Sequence, residues 1–97
     1  MIHHVVLLTF VADATDEQRS AVIDGLRALP ALVPEIRSYT VGFDLGLAPD
    51  NASLGIVAEF ASVADYEVYR DHPAHQAVIR DRISPIRAGR AAIQFER

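Results

Sequence analysis

At 97 residues, 51% of them apolar and 23% charged, the chain has the size and composition of one water-soluble globular domain. A net charge of −4, with no basic patch set beside aromatics, argues against nucleic acid as a partner. All nine basic side chains are arginine, so no lysine Schiff base can form, and without cysteine there is no thiolate nucleophile, disulfide or thiolate metal site.

Ile2–Val11 is dense in β-branched and aliphatic residues, which predicts a strand. One face carries His4, Val6, Leu8 and Phe10, the other His3, Val5, Leu7 and Thr9. The apolar run Val5–Val11 is too short to span a bilayer and has no basic leader or cleavage site. No membrane partner is expected, and with no cysteine demanding an oxidising compartment the expected location is the cytoplasm.

Thr15 with Gln18 three residues on has the spacing of a capping box, opening a helix that should run to about Leu29. Its apolar stripe is Val22, Ile23, Leu26 and Leu29, and Pro30 and Pro34 are expected to end it. A second strand is predicted over Ile36–Asp44, a turn-rich loop over Gly46–Ser53, and a third strand over Leu54–Phe60. Ser62 is placed to cap a second helix, with Asp65 in its first turn suiting the helix dipole. That helix should break near Asp71, restart at Pro73 and continue to roughly Ile83. A last strand is expected over Arg90–Glu96.

The order βαββαβ predicts an α+β, ferredoxin-like fold: a four-stranded antiparallel sheet with helices on one face. No linker or internal repeat interrupts residues 1–97, so a single domain is expected. The uncovered sheet face should be polar, yet Val5 and Leu7 on the first strand and Val57 on the third are apolar. Such a patch predicts a homodimer, with a largely apolar space enclosed between the two sheets.

The chemistry concentrates in Tyr69-Arg70-Asp71-His72-Pro73-Ala74-His75. His72, preceding proline, is biased to the extended geometry of an N-cap, and His75 falls in the first turn that follows. Positive potential there disfavours the imidazolium, so His75 can act as a neutral base beside the phenol of Tyr69. Only His4 of the N-terminal pair shares the face of Val6 and Leu8. A structural reading stands beside this one. His72 and His75 can simply satisfy backbone groups at a helix break, and Tyr69 can be core packing with a bonded hydroxyl. No metal site is expected, because His72 and His75 sit at i, i+3 across a proline-initiated turn with only Asp71 nearby. The six arginines from Arg70 onward are expected at the surface.

These pieces in order, His4-Val5-Val6-Leu7-Leu8-Thr9-Phe10, Leu29-Pro30-Ala31-Leu32-Val33-Pro34, Val41-Gly42-Phe43-Asp44, Val57-Ala58-Glu59-Phe60 and above all His72-Pro73-Ala74-His75, resemble the stress-responsive A/B barrel (Dabb) family. The resemblance covers nearly the whole chain. It implies a ferredoxin-like protomer paired sheet to sheet as a dimeric α/β barrel.

One plant polyketide cyclase of that family performs an intramolecular aldol cyclisation without a cofactor. The tyrosine and second histidine proposed as its catalytic pair match Tyr69 and His75 here, and a first-strand pocket histidine matches His4. Two further polar pocket positions of the cyclase fall on Leu26 and Leu54. The resemblance therefore implies Tyr69 and His75 as acid/base residues, with His4, His72, Leu26 and Leu54 lining a small, mainly apolar pocket. No cofactor is implied. The expected chemistry is enolisation, aldol-type cyclisation or isomerisation of a small oxo or phenolic compound. The alternatives are a non-catalytic stress or ligand-binding protein, and a cofactor-free monooxygenase suggested by barrel architecture alone.

Overall fold

The computed structural model describes residues Met1–Arg97. Four strands, β1 (Ile2–Phe10), β2 (Ser38–Phe43), β3 (Leu54–Phe60) and β4 (Arg87–Glu96), form one sheet in the order β2-β3-β1-β4. All three pairings are antiparallel. The helices are α1 (Asp16–Leu32), α2 (Val63–Asp71) and α3 (Pro73–Val78), the last running on into a π-helical turn over Ile79–Ile83. This is the ferredoxin-like arrangement expected from the element order.

The capping box at Thr15 forms in full: its hydroxyl accepts from the Gln18 backbone N–H at 3.1 Å, and the Gln18 side chain accepts from the Thr15 N–H at 2.9 Å. α1 does not stop at Pro30. It continues to Leu32, because a proline in the last turn removes only one backbone hydrogen bond and the ladder resumes when Val33 N–H donates to the Leu29 carbonyl at 2.9 Å. β2 starts at Ser38 rather than Ile36, since Ile36 N–H instead closes a turn on the Val33 carbonyl at 3.2 Å. β4 starts three residues before its predicted beginning, at Arg87.

The core lies between the helices and one sheet face. Val6, Leu8 and Phe10 of β1 and Leu54, Ile56, Ala58 and Phe60 of β3 pack against Val22, Leu26 and Leu29 of α1. The other face carries Leu7, Val57, Ile93 and Phe95, each more than 40% exposed. His3 lies on this open face, its ring stacked on Phe95 at 5.2 Å.

Candidate active site

The helix break at Asp71 builds the site. His72 is extended, with φ −62° and ψ 134°, and its Nδ1 accepts the Ala74 backbone N–H at 3.0 Å. In an unbroken helix that N–H would have bonded the Arg70 carbonyl four residues earlier. The Arg70 carbonyl is thus left to side chains, and it accepts from Gln76 Nε2 at 2.6 Å and from His75 Nδ1 at 3.0 Å. A carbonyl can only accept, so Nδ1 of His75 carries the hydrogen. In the neutral ring the lone pair therefore belongs to Nε2.

Tyr69, at the end of α2, stacks on the His75 imidazole with ring centroids 4.1 Å apart. Its hydroxyl shares a 2.8 Å hydrogen bond with the hydroxyl of Tyr39 from β2. His4 reaches the same region from β1, 6.0 Å from the Tyr69 ring and 5.0 Å from Tyr66. It is 3% exposed, and its Nδ1 is bonded by the Gln94 side-chain nitrogen of β4 at 2.8 Å.

Of these groups, His4, Tyr66, Tyr69, His75 and Gln76 border a cavity of about 280 Å³ between helices and sheet, with Leu8, Leu26 and Ile83 among its apolar walls. That volume sits at the small end of ligand pockets. The π-helical turn contributes both its first and last residues, Ile79 and Ile83, to the lining. A wider groove of about 540 Å³ between the start of α1 and the β2–β3 loop holds none of the histidines or tyrosines, so the proton-transfer groups belong to the smaller cavity.

The cavity is on the helix-covered side of the sheet, inside the protomer. It is not the space between two sheets, because β1 turns His4 toward the helices together with Val6 and Leu8. Leu26 lines it. Leu54 does not: it packs in the core at the start of β3, 1% exposed. His72 also stays outside the lining, engaged with the backbone of α3. Arg70, Arg87 and Arg90 are exposed, as expected of the later arginines, and all three also border the cavity. Arg90 could have been found from its alternation with Ala92 and Gln94 on the strand opposite His4; Tyr39 and Arg87 carry no such signal. No three His, Asp or Glu side chains converge as metal ligands would.

Burial sets the protonation states. It is the main cause lowering the His4 pKa to about 4, helped by the Arg90 guanidinium and then by His75. Burial likewise lowers His75, outweighing its bond to the Arg70 carbonyl and the nearby Tyr69 carbonyl, which favour the imidazolium. The Tyr69 phenol is pushed up to about 12 by burial, with the Tyr39 bond pulling the other way. Burial also raises Tyr39. Near neutral pH the site therefore holds uncharged imidazoles beside protonated phenols, an arrangement able to take a proton from one atom and give a hydrogen bond to another.

The fold class is thus a ferredoxin-like α+β sheet carrying one small polar-lipped cavity. Residues 2–97 match the family model described as the stress responsive A/B barrel domain, and the chain belongs to this Dabb family. A dimeric ferredoxin-like protein of unknown function from Thermobifida fusca is similar at 38% identity, covering 99% of this chain and 90% of that one, with a TM-score of 0.90. A Dabb family protein from Mesorhizobium loti is 27% identical over 99% of this chain and 95% of its own, with a TM-score of 0.79. A hydroxynitrile lyase from Passiflora edulis shares the fold at 19% identity, over 97% of this chain and 90% of its own, with a TM-score of 0.84. Among curated proteins, none matches the chain.

Proposed function

We propose that the chain is a homodimeric Dabb protein whose cavity performs cofactor-free acid/base chemistry on a small oxo or phenolic compound. The reaction class is enolisation, aldol-type cyclisation or isomerisation. In this reading His75 Nε2 takes the proton. Tyr69, which keeps its own proton, polarises the carbonyl, and His4 orients the substrate.

The observation that carries the proposal is the bond from His75 Nδ1 to the Arg70 carbonyl, which leaves Nε2 as the free nitrogen of a half-buried ring bordering the cavity. The hydroxynitrile lyase is a fold-level likeness and supplies no activity. The homodimer rests on the exposed apolar sheet face and on the T. fusca neighbour, which is described as dimeric.

The test needs no known substrate. Exchange of α-protons for deuterium in small aryl ketones, followed by NMR, reads enolisation directly. Wild type is expected to accelerate exchange, and His75→Asn to lower the rate by about a hundredfold with the circular dichroism unchanged. Equal exchange in the two proteins would favour a non-catalytic ligand-binding protein. That second reading draws support from the Tyr69 hydroxyl, which is already engaged by Tyr39.

A further inference from the structure

The charge around the cavity is one-sided. The chain holds 13 acidic and nine basic residues, yet the cavity is bordered by three arginines and by no aspartate or glutamate. Arg70 is already compensated, bonded to Asp71 at 2.9 Å and 3.8 Å from Glu67. Arg87 and Arg90 are not: the ion pairs and side-chain hydrogen bonds of the other arginines leave these two without a partner from the chain.

Their placement follows from a defect in the sheet. Arg90 pairs with Leu8, and alternation along a regular strand would turn Arg87, three residues away, to the opposite face. The register shifts between Thr9 and Phe10, so that Thr9 pairs with Gly89 but Phe10 with Arg87, and Ala88 is the extra residue. A bulge of this kind re-aims the side chain that follows it. Here it brings Arg87 onto the side of buried Phe10, beside the same cavity as Arg90.

We propose that the cavity binds a small amphipathic carboxylate, its apolar part against Leu8, Leu26 and Ile83 and its carboxylate on the guanidinium groups of Arg90 and Arg87. The inference rests on the reading of this cavity as the functional site and names the class of molecule it takes. Guanidinium groups pair with carboxylates in a bidentate manner, and two of them at the rim of an apolar hollow select a molecule with one anionic end. The volume of about 280 Å³ suits an aryl or short alkyl acid rather than a nucleotide-sized ligand.

Phenylacetate and its neutral isostere phenylacetamide provide the test, with binding read by calorimetry and by shifts of the His4 and His75 ring signals in NMR. Phenylacetate is expected to bind at least about tenfold more tightly than the amide. Arg90→Gln and Arg87→Gln should each shrink that preference, whereas Arg37→Gln, an exposed residue away from the cavity, should leave it intact. Equal binding of acid and amide, or a preference that survives in the Arg87/Arg90 double variant, would overturn the inference. So would inorganic phosphate or adenosine diphosphate binding as tightly as phenylacetate, which would assign the arginines to a phosphate-bearing ligand. An acid preference absent while His75→Asn still lowers exchange would remove this inference alone. Ring signals unmoved by every probe would remove the reading of the cavity as well.

Discussion

Each imidazole at the cavity is fixed by one partner, and its electrostatics follow from that partner and from burial. His4 shows this most plainly. Its folded pKa of about 4 lies below the unfolded value of 6.5, so between these limits the unfolded chain takes up a proton that the folded chain refuses. The stability that this confers is complete above pH 6.5 and is lost as pH falls toward 4, on the order of 3 kcal/mol across the window. His75, lowered in the same direction, adds to the slope. Urea unfolding at successive pH values should show this decline in wild type and a shallower one in His4→Leu; identical slopes would contradict the assignment. The grouping of His4, Tyr69 and His75 follows from two local rules visible in the sequence, strand alternation and the extended residue before proline. Tyr39 escaped because its contact with Tyr69 depends on how far β2 lies from α2. No periodicity encodes that distance.

Among the elements, the break between α2 and α3 matters most for the site. His72 both caps α3 and, by taking the Ala74 N–H, leaves the Arg70 carbonyl for His75. His72→Ala should therefore cost about 1 kcal/mol of stability, a fall of about 4–8 °C in Tm. The same substitution should also loosen the His75 ring, whereas His72→Asn, with an acceptor at the same reach, should recover most of both. Thermal melts with imidazole NMR distinguish these outcomes. The start of α2 was legible from Ser62 as a cap, and the far side of the break from Pro73 as a restart. The π-helical turn at Ile79–Ile83 was not, because Ile79, Val78 and Ile83 fit a continuous helix equally well in sequence. Its wide turn includes the bond from Ser84 N–H to the Ile79 carbonyl five residues earlier, at 2.8 Å. The bulge at Ala88 is equally silent, since nothing in Arg87-Ala88-Gly89-Arg90 fixes which residue is extra until β1 lies alongside.

For the whole molecule, the apolar open face is the surface that a second copy would cover. Leu7 at 46%, Val57 at 43%, Ile93 at 58% and Phe95 at 45% exposure cluster on adjacent strands, an arrangement better suited to a second sheet than to water. Val57→Asp or Ile93→Asp should convert a dimer to monomers by light scattering, with the secondary structure kept. A wild-type monomer would contradict the pairing. The βαββαβ order made the architecture readable, because alternating strands and two capped helices leave few other topologies. The apolar space expected between two sheets and the cavity beside His4 are distinct, because adjacent strand residues point to opposite sides. The open face belongs to Val5 and Leu7, whereas His4 turns inward to the helices.

The most direct measurement is the protonation state of His75 itself, followed by long-range proton–nitrogen NMR of the imidazole through an acid titration. The account predicts a neutral ring at about pH 7 with its hydrogen on Nδ1, and a midpoint below the ordinary histidine value of 6.5. A hydrogen on Nε2, or a midpoint above that value, would contradict it.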